Sequence, residues 1–324
     1  MKAVLSTAPG GPETLTLADL SDPEPGPGEV RLKVGAVGLN FFDTLIIVDR
    51  YQFKPERPFS PGAECAGAID ALGEGVTGWR IGERAAAFLG HGACREQVVA
   101  PVGRLLRLPD EVSDEQAAGL SVTYGTGLHA LKDRADLKAG ETLAVLGAAG
   151  GTGLAAVELG RLLGARVIAC ASSDDKLDLA RAHGADETLN YAATDLKEGL
   201  RRLTGGKGVD VIYDPVGGDL AEAALRAIAW AGRYLVIGFA GGGIPKIPLN
   251  LVLLKSCDIR GVFWGAFLDR DPEAHAANMT GLLAHVAAGR LSVEVDRVVP
   301  LAETPAALDR LARREARGKL IVKP

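Results

Sequence analysis

Leu143-Ala144-Val145-Leu146-Gly147-Ala148-Ala149-Gly150-Gly151-Thr152-Gly153 decides the fold, because an apolar strand runs straight into a glycine-rich turn that opens a helix. An unbroken apolar run suits a strand covered on both faces. Gly150 and Gly151 let backbone N–H groups approach a pyrophosphate with no Cβ in the way, and Gly153 lets the helix pack close against the strand. Gly147, Ala148, Ala149, Gly150, Gly151, Thr152 and Gly153 therefore form a candidate phosphate cradle. Ala148 stands where the usual G-x-G-x-x-G fingerprint has its first glycine, so the surrounding elements must carry the assignment.

They do carry it. Residues 154–163 have a helical apolar face, and residues 165–171 form a second apolar strand right after Gly164, closing a βαβ unit of about thirty residues. Val209–Asp214 and residues 234–238 read as further short buried strands, separated by a helical stretch over 220–230. Alternation in this order predicts an α/β fold built on a Rossmann-type doubly wound parallel sheet.

The flanks have a different texture. Through residue 117 the chain is rich in proline, glycine and β-branched residues: Asp22-Pro23-Glu24-Pro25-Gly26-Pro27-Gly28 forms turns, and Glu29-Val30-Arg31-Leu32-Lys33-Val34 alternates like a half-buried strand. Further strands are expected over 66–72 and 96–100. After residue 265 come a helix over 271–289, a strand over 293–299, another helix and a final strand over 319–323. The expected organisation is a β domain from 1–117 and 266–324, with a nucleotide-binding domain, 118–265, inserted in it.

Composition fits an ordinary soluble enzyme. The 324 residues carry 36 basic and 41 acidic side chains, a formal charge of −5, which argues against nucleic acid as the main partner. Met1-Lys2-Ala3-Val4-Leu5 lacks the apolar core of a signal peptide and no apolar run reaches bilayer length, so no membrane role and a cytoplasmic location are expected. Cys65, Cys94, Cys170 and Cys257 are scattered, without C-x-x-C spacing, and read as buried thiols. His91, His129, His183, His275 and His285 have no metal-ligand spacing and read as surface or helix residues.

Several ordered segments now carry a resemblance: Gly38-Leu39-Asn40-Phe41-Phe42-Asp43, Pro61-Gly62-Ala63-Glu64-Cys65-Ala66-Gly67, Val122-Thr123-Tyr124-Gly125-Thr126, the turn Gly147 to Gly153, Asp214-Pro215-Val216-Gly217-Gly218, and the closing Arg317-Gly318-Lys319-Leu320-Ile321-Val322. Over essentially its whole length the chain resembles the zinc-free medium-chain dehydrogenases/reductases of the NADPH:quinone oxidoreductase type, relatives of zeta-crystallin. The resemblance implies a GroES-like β domain joined to a Rossmann-type domain, with the active site in the cleft between them. In zinc alcohol dehydrogenases of this superfamily a cysteine follows the first-domain strand and a histidine precedes a glutamate; here those places hold Asn40 and Ala63, which cannot supply the thiolate and imidazole. No metal is expected. The acceptor should then be electrophilic in itself, a quinone or an α,β-unsaturated carbonyl compound, whose developing phenolate or enolate hydrogen-bond donors can stabilise.

By the same resemblance Asn40, Asp43, Tyr51 and Thr123 lie around nicotinamide and substrate. Tyr51 is the preferred donor to the substrate oxygen; the alternative is that it only lines the cleft while water supplies the proton. Asn40 orients neighbouring groups or the nicotinamide, Asp43 braces a first-domain turn, and Thr123 contacts the nicotinamide. Cofactor choice turns on the end of the second Rossmann strand, where Ala171 replaces the acidic residue common in NAD sites. Ser172, Ser173 and Lys176 can bind a 2′-phosphate and Tyr191 resembles a family position near it, so NADPH is the expected cofactor; Asp174 and Asp175 are assigned to the first turn of the next helix. Arg314 or Arg317 can also serve the phosphate, and the sequence does not choose between them.

Gly238, Phe239 and Phe263 are further cofactor candidates, although Phe239, Phe263 and Trp264 could instead line the acceptor cleft, and Phe263 and Trp264 could serve the core or a dimer interface. Residues 258–264 read as the last Rossmann strand, an edge that in this family pairs with its copy in a homodimer. Three functions stay open: a quinone reductase, an enoyl or enone reductase, whose polyketide-synthase relatives share a Gly-Leu-Asn-Phe-x-Asp segment, and a non-catalytic NADPH- or RNA-binding protein.

Overall fold

Strand β1 (Lys2–Leu5) pairs antiparallel with β2 (Thr16–Asp19) at the start of the chain, in a computed structural model that describes all of Met1–Pro324. There follow β3 (Glu29–Leu39), α1 (Phe41–Ile46), β4 (Glu64–Leu72), β5 (Arg84–Phe88), β6 (Gln97–Pro101), β7 (Leu105–Arg107) and α2 (Asp114–Leu128). Next come β8 (Thr142–Leu146), α3 (Gly151–Leu162), β9 (Arg166–Ala171), α4 (Asp174–Ala182), β10 (Glu187–Asn190), α5 (Leu196–Leu203), β11 (Val209–Asp214), α6 (Asp219–Arg226), β12 (Ile228–Val236), α7 (Asn250–Lys255), β13 (Asp258–Gly261) and α8 (Trp264–Arg270). The chain closes with α9 (Pro272–Ala287), β14 (Val295–Pro300), α10 (Thr304–Ala312) and β15 (Lys319–Lys323).

Two compact units result, one formed by Met1–Val122 with Met279–Pro324 and the other by Thr123–Asn278. The boundaries expected from the sequence, 117/118 and 265/266, lie short of these. Both junctions run inside helices, α2 and α9, so no proline- or glycine-rich linker marks them in the sequence.

In the first unit a seven-stranded sheet has the order β14-β15-β3-β4-β5-β7, with β6 also on β3. Strand β3 organises it: β4 runs along one side, while the other side is shared by β6 against Glu29–Lys33 and by β15 against Val37–Leu39. The last strand of the chain thus pairs with one of the first. Alternating burial in β3 as far as Val34 matches a sheet with one wet face, and the continuous burial from Ala36 to Leu39 marks where both faces are covered. Leu32, Val37, Leu39, Ile46, Ile69, Leu308 and Val322 are in its core.

The second unit is a six-stranded sheet, all parallel, in the order β10-β9-β8-β11-β12-β13. The chain winds outward from β8 through β9 and β10, then returns to β11 and winds the other way. That reversal places the ends of β8 and β11 side by side, the point at which doubly wound sheets bind ligands. Helices cover both faces, which is why β8, β9 and β11 are apolar almost throughout. Helix α3 gives way at Leu163 to Gly164 (φ 79°) and α4 at His183 to Gly184 (φ 102°), each glycine taking the left-handed conformation that ends a helix.

Several expected elements are corrected. Helix α6 stops at Arg226, and residues 228–230, expected to be helical, belong to β12; Val209 pairs with Ile228 before a bend at Ala231 (φ 57°). Strand β13 ends at Gly261, three residues early, because Phe263 (φ −119°, ψ 77°) leaves the strand and α8 begins at Trp264. Every cysteine is free and buried. His91 is neither on a helix nor on the open surface: it is half-buried in a turn, with its ring against Phe53 and Phe59. No helix is long and apolar enough to cross a membrane.

Candidate functional site

The turn after β8 has the form of an anion cradle. Gly147 adopts φ 61°, and Gly150 precedes α3 in an extended conformation with no side-chain cap. The first helical bond of α3 is Leu154 N–H to Gly150 O at 2.8 Å, so the N–H groups of Gly151, Thr152 and Gly153 precede it and have no helical carbonyl to meet. A Cβ on Gly153 would stand 2.2 Å from Gly147 O and 2.9 Å from Ala148 Cα, so only glycine lets the helix start this close to the turn. At Gly150 a Cβ would have nothing nearer than 3.5 Å; that side of the cradle is open. Ala148 and Ala149 are buried, and Ala148 N–H is tied to Cys170 O at 3.1 Å. Clustered, uncapped N–H groups at a helix N-terminus and at the sheet's reversal suit the pyrophosphate of a dinucleotide.

At the end of β9, Ala171 O accepts the Tyr191 N–H at 3.0 Å, which brings Tyr191 beside the start of α4. Ser172 is exposed and Ser173 stands at the N-cap of α4 in an extended conformation without a side-chain cap bond; Lys176 and Tyr191 are half-buried. Asp174 is turned toward Asn190, whose Nδ2 donates to its Oδ1 at 2.9 Å. This corner thus combines hydroxyls, an ammonium and a phenol with no acidic residue at position 171.

Next to the cradle stands a loop that the sequence reading did not count among the site residues. Buried Asp214 accepts the N–H groups of Val216 (2.8 Å) and Gly217 (2.9 Å) on Oδ1, and the Tyr234 hydroxyl on Oδ2. The loop so held brings Val216 Cγ2 within 2.9 Å of where a Cβ on Gly147 would stand, and Phe239 packs on Gly217. Gly238 N–H donates to Asp214 O at 3.3 Å. Gly238 and Phe239 are therefore adjacent to the cradle's own loop. Phe263 is exposed, whereas Trp264 is buried against Gly125. Thr123 is buried in α2. Arg314 is on the other unit, exposed, at φ 59° in the turn after α10, and Arg317 follows it on the same turn.

The first unit holds a buried polar cluster. Asp43, in the first turn of α1, accepts the N–H groups of Asn40 (2.7 Å) and Gly62 (3.2 Å), which ties α1 to the Pro61-Gly62 turn. The Asn40 side chain reaches the neighbouring strands from the N-cap of α1: its Nδ2 donates to Glu64 Oε1 (2.9 Å) and Gly38 O (3.3 Å), and its Oδ1 accepts from Lys319 Nζ (2.8 Å). Lys319 also donates to Glu64 Oε1 at 2.8 Å, and Glu64 Oε2 accepts the Val122 N–H at 2.9 Å. Glu64 and Lys319 went unnoticed as site residues. The signal was a carboxylate heading an apolar strand and a lysine heading another, each needing a buried partner. Tyr51 is half-buried, its ring stacked on Phe42 at 5.3 Å.

Burial pushes the Asp43 carboxyl up to about 7 against the pull of its two N–H donors and of Lys319. Burial, and secondarily the charge of Asp43, raises the Tyr51 phenol above its usual 10, so at neutral pH it keeps the proton and can donate it in a hydrogen bond. No three His, Cys, Asp or Glu side chains are grouped as metal ligands. The Asn40 amide is committed to a cation and a carboxylate.

Known proteins share this architecture. Residues 26–110 match the alcohol dehydrogenase GroES-like domain and residues 151–280 the zinc-binding dehydrogenase domain. A quinone oxidoreductase of Pseudomonas aeruginosa is 35% identical across 100% of this chain and 99% of its own. The chain belongs to the quinone oxidoreductase family of medium-chain dehydrogenases/reductases. Quinone oxidoreductase-like protein 2 of Bos taurus is 37% identical over 91% of this chain and 85% of that protein. The crystal structure of Escherichia coli quinone oxidoreductase complexed with NADPH superposes with a TM-score of 0.94 at 28% identity, covering 100% of both chains. The family also reaches a 2-haloacrylate reductase of Burkholderia, 32% identical over 97% of this chain and 96% of that one. Membership makes this protein an oxidoreductase with a GroES-like and a Rossmann-type unit, not the non-catalytic binding protein held as a third alternative.

Proposed function

We propose that this enzyme is an NADPH-dependent, metal-independent reductase whose acceptor is a quinone. The observation that carries this reading is the Asn40 amide, bonded to Lys319 and Glu64 at the place where zinc enzymes of the superfamily have a thiolate. An amide so engaged is no metal ligand, and Ala63 offers none. Without a Lewis acid the chemistry favours an acceptor that delocalises its developing charge, as a quinone does.

The cofactor suits the residues present. NADPH, when bound, supplies a hydride. The N–H groups of Gly151, Thr152 and Gly153 bind its pyrophosphate, and Gly147, Ala148, Ala149 and Gly150 shape the turn that presents them. Ser172, Ser173, Lys176 and Tyr191 bind the 2′-phosphate, with Arg314 as a further cation; Gly238, Phe239 and Phe263 complete the set. Tyr51 donates to the acceptor oxygen, Asp43 braces the turn behind it, and Asn40 and Thr123 orient the reacting groups. An enone reductase is the second reading, favoured by the 2-haloacrylate reductase relative.

The enzyme acts as a homodimer in this reading. Strand β13 pairs with β12 on one side only, and the apolar side chains of Leu249, Leu253, Leu254 and Ile259 beside that edge are exposed. Its four free, buried thiols suit a reducing compartment, and we place it in the cytoplasm.

The test is NADPH and NADH oxidation against benzoquinones, a polycyclic ortho-quinone, enones and enoyl thioesters. Quinone turnover with preference for NADPH is expected, and turnover of enones alone would replace the quinone by the second reading. Lys176→Ala is expected to raise the KM for NADPH about tenfold and leave that for NADH unchanged, as loss of one charged phosphate contact implies. An equal effect on both cofactors would remove Lys176 from the phosphate site.

A further inference from the structure

Glu64 heads β4, Lys319 heads β15, and neither side chain meets water, with exposures of 0% and 3%. Lys319 Nζ has three donors and three short partners: Leu39 O (3.0 Å), Asn40 Oδ1 (2.8 Å) and Glu64 Oε1 (2.8 Å). Glu64 answers with three accepted bonds, from Lys319, from Asn40 Nδ2 and, on Oε2, from the Val122 N–H.

The bond to Val122 is unusual. In a regular helix that N–H would turn to the carbonyl of Ala118, four residues back. The backbone of β3 also comes close there, since a Cβ on Gly38 would stand 2.0 Å from Ala118 O and 3.0 Å from Glu64 Oε1, and Glu64 Oε2 accepts the Val122 N–H at 2.9 Å. The carboxylate therefore grips α2 in mid-helix, one residue before Thr123.

Stability alone does not account for such a pair, since a buried ion pair is commonly no more stabilising than apolar residues of the same volume. Orientation does. An ammonium only donates and an ionised carboxylate only accepts, so the Asn40 amide has one permitted flip, Oδ1 toward Lys319 and Nδ2 toward Glu64. With Gly38 O taking a second bond from Nδ2, both amide hydrogens are committed, while Oδ1 faces the Lys319 ammonium. Asn40 so held has no N–H left to stabilise a developing oxyanion.

We propose that Lys319 and Glu64 are positioning residues of the reductase, locking the Asn40 amide in one flip and holding α2 at Val122. The inference rests on the reductase reading of the preceding section.

Its test uses Asn40→Ala, the neutral pair Glu64→Gln with Lys319→Met, and all three substitutions together. Each protein is assayed for kcat with the best quinone, for NADPH affinity by fluorescence titration, and for Tm. The neutral pair is expected to melt lower than wild type, because the amide nitrogen introduced by Glu64→Gln faces one of the two N–H donors, Asn40 Nδ2 and the Val122 backbone, that Glu64 accepts, and where folded to lose about tenfold or more in kcat with NADPH affinity unchanged. Asn40→Ala is expected to lose as much, and the triple variant no more than Asn40→Ala alone, because residues acting through one another are not additive. A folded neutral pair with wild-type kcat, or a triple variant whose loss is the product of the two, would overturn the proposal. Should the neutral pair fail to fold, Asn40→Ala decides: wild-type kcat overturns it, and a tenfold loss at unchanged NADPH affinity supports it. Wild-type protein that reduces no acceptor in the same assay would sink the reductase reading itself, a result distinct from an active wild type with unaffected variants.

Discussion

Asp43 shows how one residue ties fold to pH. Its carboxyl is buried, receives two backbone N–H groups and is still pushed up to about 7 by loss of solvent, with the Glu64 charge adding to the rise and Lys319 opposing it. Between the ordinary 3.8 and 7, the folded chain holds a proton that the unfolded chain has released. Stability from this group therefore falls as pH rises through that window, and is fully present only below it. From pH 5 to 7.5 the loss is roughly 2 kcal/mol. Urea unfolding at the two pH values should show wild type losing about that much more than Asp43→Asn, which has no proton to release. Equal slopes in the two proteins would mean that Asp43 is already ionised at pH 5. The absolute stability of Asp43→Asn is a poor readout, because its amide nitrogen would face one of the two N–H donors. Asn40 and Asp43 were legible in the Gly38-to-Asp43 segment. Glu64 and Lys319 were not, since 255 residues separate them and only the pairing of β15 beside β3 brings them together.

Among the elements, the strand–turn–helix around Gly147–Gly153 is the most constrained. Gly153→Ala would drive a methyl group into two backbone atoms that cannot move separately, Gly147 O and Ala148 Cα. The expected cost is about 1–3 kcal/mol in stability, with NADPH affinity down about a hundredfold as the turn is forced open. Gly281→Ala, in α9 with nothing within 4 Å of its new Cβ, is the matched control and should be neutral or slightly stabilising. Wild-type NADPH affinity in Gly153→Ala would remove this turn from the cofactor site. The same scale shows where pattern alone is ambiguous. The apolar run around Ile228-Ala229-Trp230 suits the end of a helix or the start of a strand, and the choice fell to pairing with Val209. Phe263 and Trp264 look like strand residues by composition, but the turn after Gly261 puts one in the open and the other in the core.

For the whole molecule the open question is assembly. The unpaired edge of β13, with Leu253 exposed at 78% and Ile259 at 40%, is a surface that a second copy would cover by extending the sheet. Ile259→Lys together with Leu253→Glu should leave the fold intact, because both positions already face outward, and should halve the mass found by sedimentation equilibrium. Wild-type protein sedimenting at 33.6 kDa would show that the edge stays unpaired. The chain's texture changes along the sequence, while its two compact units are Met1–Val122 with Met279–Pro324 and Thr123–Asn278. The junctions between them were not legible in the sequence, because they fall within continuous helices.

By itself the sequence determined the alternation of strand and helix, the glycine turn that opens α3 and the absence of zinc-type donors at residues 40 and 63, because each is written in neighbouring residues. Only the tertiary structure decided that Lys319 would meet Glu64, that Asp214 would organise the loop beside Gly147 and that Val122 would give its N–H to a carboxylate. Those outcomes depend on which strands lie side by side, and strand order is settled by the burial of whole faces rather than by any local pattern.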